Sequence, residues 1–221
     1  GPESTRGGMK LIAKCQEISM RVKGEGSISS RIMLVGEYPS DSDERAGVPF
    51  AGAAGQELNR MLHEVGIMRS ECYVTNVCKM RPPGGQLSAF IAKAKKDITA
   101  AHSLLRDRYV TREVIEGCTE LEAELTMVQP NIIVCFGNLA MWALTGQWAT
   151  LKWRGSLMEY KGIKVIPTLH PSAIYRQWEL RAVALSDLRR VKRHMTSRTY
   201  DNKPDWRFHI RPTFTDRKSV V

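Results

Sequence analysis

A chain of 221 residues, 43% hydrophobic and 7% aromatic, is long enough to close one sizeable core and too apolar to be disordered. Its 33 Lys and Arg against 23 Asp and Glu leave a net charge of +10, which favours a polyanionic partner, most often nucleic acid, over a merely solvated basic surface. No apolar run approaches a membrane span and no signal peptide is visible, so the chain reads as cytoplasmic, with no membrane partner. The five cysteines (Cys15, Cys72, Cys78, Cys118 and Cys135) are scattered, with no Cys-x-x-Cys pair. They point to reduced thiols rather than a disulfide framework.

In chain order, residues 1–8 read as a cloning scar before Met9, residues 9–195 as one domain, and residues 196–221 as a C-terminal extension that could open a following domain. Residues 31–36 (RIMLVG) form a short apolar run ahead of a Gly- and Pro-containing loop, the mark of a buried parallel strand. Residues 53–65 carry Leu58, Met61, Leu62 and Val65 on one helical face. Further strands are expected at 72–77 (CYVTNV), 131–136 (NIIVCF) and 164–169 (KVIPTL), with a helix at 117–128 before the third. Residues 86–116 are basic and helix-prone, with Lys93, Lys95 and Lys96 clustered. They read as an insertion that either touches phosphates or is simply solvated. A basic helix follows Leu185, and residues 206–214 (WRFHIRPTF) alternate like a strand. The sum is an α/β protein, a three-layer α/β/α sandwich around a central four-stranded parallel sheet. In such sheets ligands bind beyond the strands' carboxyl ends. The loops rich in Gly, Pro, Asn and His all follow strand ends: 37–52, 76–85, 137–138 and 170–176.

Four pieces in register carry a resemblance. They are Gly36-Glu37-Tyr38-Pro39; Gly47-Val48-Pro49-Phe50-Ala51-Gly52 with Gly55; Thr75-Asn76 ahead of Arg81-Pro82-Pro83; and His170-Pro171-Ser172. Together they resemble the uracil-DNA glycosylase superfamily, most closely its family 4, over residues from about 32 to about 190. The segment from Gly137 to Gly146, with Lys152-Trp153-Arg154-Gly155-Ser156, looks like the subgroup at the N-terminus of some phage family A DNA polymerases. The resemblance implies a DNA glycosylase that flips uracil or a related, modified pyrimidine out of the stack and hydrolyses its N-glycosidic bond. DNA, single or double stranded, would be the partner, with a DNA polymerase in cis or in trans as a further one and a monomer as the working state. The alternative is a DNA-binding module of the same fold that has lost turnover.

The resemblance assigns roles that chemistry supports. Phe50 offers a flat face to the pyrimidine. The Asn76 amide can donate to uracil O4 and accept from N3–H, a pattern cytosine inverts. His170 would donate to O2 as negative charge develops on the leaving base. Glu37 would orient water and favour the cationic sugar, and in family 4 the matching Glu also crowds the pyrimidine C5. Ile174, Tyr175 and Arg176 would wedge into the minor groove. Arg81, Ser172 and the main chain at Gly52 would hold phosphates. His63, His102, His194 and His209 read as structural.

Departures from the family pattern are informative. Tyr38 replaces a small Ala and Ser40 a Gly, so Tyr38 either reshapes the pocket for another pyrimidine or blunts catalysis. The family's four iron–sulfur ligand positions fall on Ile12, Cys15, Met80 and Cys118, so the cluster is expected to be lost and no cofactor or metal is expected. Self-crosslinking relatives carry a His at the end of a basic loop after Thr-Asn. Residues 79–101 contain none, so that behaviour is not expected.

Overall fold

The computed structural model describes residues 20–199. Residues 1–8, Ile12, Cys15 and residues 206–214 lie outside the described residues. The main sheet has five strands, β1 (Ile32–Gly36), β2 (Cys72–Asn76), β5 (Ile132–Phe136), β6 (Met158–Tyr160) and β7 (Ile163–Thr168), while β3 (Ser103–Leu105) and β4 (Arg108–Val110) form a separate hairpin. The order is β2-β1-β5-β7-β6. The first four strands are parallel, and β6 runs antiparallel to β7. The expected four-stranded parallel sheet is therefore the parallel part of a five-stranded mixed one. The three-residue β6, only half-buried, makes no apolar run to betray it.

Alternation along β1 divides the core. Ile32 and Leu34 face one helical layer, Met33 and Val35 the other. On the first side lie α2 (Ala53–Glu64, through Leu58, Met61 and Leu62), α6 (Pro171–Arg176) and α7 (Leu180–His194, through Leu185, Leu188 and Val191). On the second lie α3 (Arg112–Val128, through Leu121 and Leu125) and α4 (Asn138–Thr145). Each fully buried aliphatic side chain contributes roughly 1.5–3 kcal/mol. Lys164 on β7 is buried too, its ammonium donating to the carbonyl of His194 at the end of α7. Two short helices complete the chain: α1 (Asp41–Ala46) and α5 (Thr150–Trp153). Among the described residues no helix is long and apolar enough to cross a membrane.

The segment between β2 and α3 is not helical as its composition suggests. It is a series of single 3₁₀ turns at Pro83–Gly85, Leu87–Ala89 and Lys95–Asp97, followed by the β3–β4 hairpin. Its last residues already belong to α3, which begins at Arg112 rather than at residue 117.

Candidate active site

The chain winds outward in both directions from between β1 and β5, so the crevice at the carboxyl ends of those strands is the topological switch point. Four strand ends meet there. Asn76 closes β2 directly opposite Gly36 of β1. A methyl group on Gly36 would lie 2.3 Å from Asn76 Oδ1 and 2.7 Å from the Phe50 ring, so only glycine lets the amide and the ring approach each other. Asn76 is 2% exposed, and its Nδ2 has no hydrogen-bond partner among the described residues. Behind it, the buried Lys79 ammonium donates to the Asn76 carbonyl at 2.6 Å and to Thr75 Oγ1 at 2.7 Å, and pairs with Glu124.

Phe50 is 5% exposed and sits in the left-handed region at φ 53°. Its ring stacks on His170 with centroids 5.6 Å apart and meets Phe136 edge-on at 5.9 Å. Such a backbone needs external support, and Arg69 supplies it. Nη1 donates to the Phe50 carbonyl at 2.9 Å and Nη2 to the Pro49 carbonyl at 2.6 Å, while Nη2 also reaches Glu25 at 3.1 Å. From the other side the buried Asp43 carboxylate accepts from Ala51 N–H at 2.8 Å and Ser40 N–H at 3.0 Å. Neither Arg69 nor Asp43 was among the expected site residues. Asp43 has a legible signal, because Ser40-x-x-Asp43 is a capping box for α1. Arg69 has none.

His170 lies two residues beyond the end of β7, at the N-cap of α6, and is half-buried. Its Nδ1 accepts the Ser172 N–H at 3.2 Å and lies 2.8 Å from Ser172 Oγ. That pattern leaves the ring proton on Nε2. Burial pulls the imidazole down to about 4, against the opposing pull of the Asp43 carboxylate, so the ring is neutral at pH 7. Glu37 Oε2 accepts the Leu139 N–H at 3.0 Å, at the positive end of α4. Burial raises the Glu37 carboxyl above its ordinary range and that hydrogen bond opposes the rise. The carboxylate lies over Gly137 (φ 93°), where a methyl group would stand 2.7 Å from its Cδ.

Tyr38 is half-buried against the α3–α4 side of the core and donates its hydroxyl to the Gly85 carbonyl at 3.1 Å. Its phenol is raised chiefly by burial, with Glu37 adding, while Arg176 and Arg81 oppose. Both guanidiniums therefore stand close enough for their fields to reach Tyr38. Gly52 caps α2 with backbone alone, half-buried.

The segment after His170 departs from expectation. Ile174 is 0% exposed and packs in the α2–α7 core, so it is not free to wedge into a groove. One turn of α6 separates the apolar residue facing the sheet from those facing solvent. Ser172 is exposed and has its N–H and hydroxyl turned to His170, so it helps to hold the imidazole. Tyr175, 51% exposed, and Arg176 do face solvent, and Trp178, which sequence reasoning missed, is exposed beside them.

Of the family's cluster positions, Met80 brings a thioether and Cys118 a half-buried thiol, while the neighbouring Cys78 is fully buried and its thiol is pushed up by burial. Among the described residues, no three His, Cys, Asp or Glu side chains gather as a metal site.

Fold and site together define an enzyme of the three-layer α/β/α class, with an amide, an imidazole and a carboxyl gathered at one sheet edge. The model of the uracil DNA glycosylase superfamily matches residues 23–189. The type-4 uracil-DNA glycosylase of Thermotoga maritima is 33% identical over 176 residues, covering 77% of this chain and 81% of that protein. That of Archaeoglobus fulgidus is 31% identical over 180 residues, covering 77% and 79%. A DNA polymerase of Bacillus phage SP01 is 31% identical over 168 residues, which are 76% of this chain but 16% of the polymerase. The chain belongs to the uracil DNA glycosylase superfamily.

Proposed function

We propose that the chain is a DNA glycosylase that turns uracil or a related pyrimidine nucleotide out of the stack and hydrolyses its N-glycosidic bond. The observation that carries this reading is the unpaired Nδ2 of buried Asn76. A donor left unmade in a protein interior costs about 1–3 kcal/mol, and a pyrimidine O4 would satisfy it. With Nδ2 donating to O4 and Oδ1 accepting from N3–H, cytosine's N4 amine would meet a donor and be rejected.

In the reaction, the base leaves C1′ with the electron pair of the glycosidic bond, water adds at C1′, and the proton that water gives up ends on the released base. Charge collects on O2, where the Nε2–H of a neutral His170 can donate. A donor already oriented by Ser172 stabilises that charge without reorganising. Glu37 then orients the water and favours the positive sugar, which requires its carboxylate form. The Leu139 N–H supports that form against burial. Phe50 forms the apolar wall beside His170. The Tyr38 hydroxyl is engaged by Gly85, so Tyr38 limits the pocket by size rather than reading the base. Arg81, Arg176 and the Gly52 main chain would meet phosphates, and Tyr175 would prop the duplex. We read the iron–sulfur cluster as lost. Ile12 and Met80 offer no thiolate, and the protonated, buried Cys78 is a poor substitute.

An abasic-site assay on uracil-containing single and double strands, extended to C5-modified pyrimidines, tests the reading. Release of base by the wild type supports it. DNA binding without release from any substrate overturns it. That outcome would favour a non-catalytic module of a polymerase, the reading supported by the phage polymerase match.

A further inference from the structure

Burial of Ile174 leaves open what touches the DNA strand beside the pocket. α6 is anchored on three sides. Ile174 sits in the core, the Tyr175 hydroxyl donates to the Ala53 carbonyl at 2.7 Å, and Gln177 N–H closes the helix on the Ala173 carbonyl at 3.1 Å. The turn that follows is equally tied, by Leu180 N–H to Gln177 O at 3.1 Å and Arg181 N–H to Trp178 O at 3.0 Å. Between these bonds stands Trp178, 60% exposed. The Arg181 guanidinium lies 5.5 Å from its ring centroid and is itself held by Glu57 at 2.7 Å and Glu64 at 2.8 Å. A large aromatic ring is thus carried on a tied turn instead of being folded inward, with the exposed Arg176 two residues before it to attract a polyanion.

We propose that Trp178 stacks on a nucleobase of the DNA strand flanking the flipped nucleotide, taking the place at the strand that Ile174 cannot fill. The inference rests on the DNA-binding reading above but not on turnover. An exposed ring beside Arg176, on a chain of net charge +10, suits a base, whose π-face any sequence presents.

The test is tryptophan fluorescence during titration with oligonucleotides that contain no uracil, single and double stranded. It compares wild type with Trp178→Phe and Trp178→Ala, all checked for fold by circular dichroism. The wild type should be quenched on binding, and the part of that quench that vanishes in Trp178→Phe reports position 178, because Trp142, Trp148, Trp153 and Trp206 are common to both proteins. Trp178→Phe should keep its affinity, and Trp178→Ala should lose roughly five- to hundredfold, the range for one base–aromatic stack. An equal quench in Trp178→Phe, or an unchanged affinity in Trp178→Ala, overturns the proposal. So does a result in which Trp178→Ala alters only self-association. Base release with no Trp178 quench sinks the stacking and spares the glycosylase reading, whereas quench without release does the reverse. No binding by any of the three proteins overturns both.

Discussion

The carboxyl edge of the sheet and the crossover between β2 and α3 are neighbours built on different principles. At the sheet edge, Gly36, Asn76, Phe136 and Thr168 are placed by strand register, and the reactive side chains stand on or one to two residues beyond these ends. Beyond its 3₁₀ turns the crossover has a hairpin of two three-residue strands. Side-chain ties to α4 and the segment after it hold it down. Arg106 Nη1 donates to the Trp142 carbonyl at 2.5 Å, Trp142 Nε1 donates to Asp107 at 2.8 Å, and the Arg108 guanidinium lies 3.8 Å from the Trp148 ring centroid. Lys93, Lys95 and Lys96 remain exposed on it. The edge therefore concentrates chemistry on a scaffold that does not depend on it, while the crossover concentrates stability in a few contacts. Substitutions at the edge should change turnover and spare the fold, and substitutions in the crossover should do the opposite.

The largest effect is expected at His170. His170→Ala removes the donor to the leaving oxygen and should lower single-turnover base release by roughly a hundredfold or more, by analogy with oxyanion donors. Asn76→Ala should lose about 1–3 kcal/mol of transition-state binding, because the pyrimidine edge is left unread in a closed site. DNA affinity should change little in either, since phosphate contacts dominate it. A comparable loss of affinity would mean that the edge also serves as the binding platform, and the contrast with the crossover would fail.

Glu37 sharpens the comparison through pH. Its carboxyl is raised above the ordinary 4.5, while His170 is lowered to about 4. Release should therefore climb with pH through the raised Glu37 value, with no step at 6.5 from the imidazole. The acid limb should disappear, at a lower plateau, in Glu37→Gln. Linkage has the matching sign. A raised folded pKa contributes stability that is present below about 4.5 and lost as pH rises through the folded value. Glu37→Gln should thus be more resistant to denaturant than wild type at pH 7 and no more so at pH 4. A persisting acid limb would assign the titration to another group.

How much of this was legible follows the same division. The four parallel strands are buried on both faces and announce themselves as apolar runs, and their loops inherit a position from them. So Glu37, Asn76 and His170 could be named together from sequence. Ile174 could not be resolved, because whether an apolar residue in a short helix faces core or solvent depends on how the helix docks. Arg69 acts on the carbonyls of Pro49 and Phe50, brought near only by folding, so nothing local marks it, and the pairing of Lys79 with Glu124 is equally set by the fold. The crossover reads as helical because Lys- and Ala-rich stretches favour helix in isolation. Its hairpin depends on ties to Trp142 and Trp148, more than thirty residues on.

A side-chain bond joins the two regions, from the Tyr38 hydroxyl to the Gly85 carbonyl at 3.1 Å. Tyr38→Phe cuts that tie and keeps the ring. It should lose about 0.5–1.5 kcal/mol of stability, the net worth of one hydrogen bond, with base release unchanged. Tyr38→Ala also empties the pocket wall and should raise uracil release. No change in release with any pyrimidine, alongside intact DNA binding, would remove Tyr38 from the pocket and count towards the non-catalytic module.

The smallest effect on turnover is expected at Asp107. Its carboxylate is exposed, yet it accepts from the indole N–H of Trp142, a side chain with no exposure at all. That hydrogen bond is the main reason the Asp107 carboxyl lies below its ordinary range. Asp107→Ala leaves a buried donor without its partner, a penalty of about 1–3 kcal/mol. Asp107→Asn keeps an acceptor and should recover most of it. Both variants should release base at the wild-type rate, because Trp142 packs on the α4 face away from Phe50 and His170. Thermal unfolding and single-turnover release on the same preparations decide the matter. A fall in midpoint with constant release places the crossover on the stability side of the comparison. A parallel fall in release would mean that α4, whose first turn holds Glu37 through Leu139, transmits the disturbance along its length to the carboxylate.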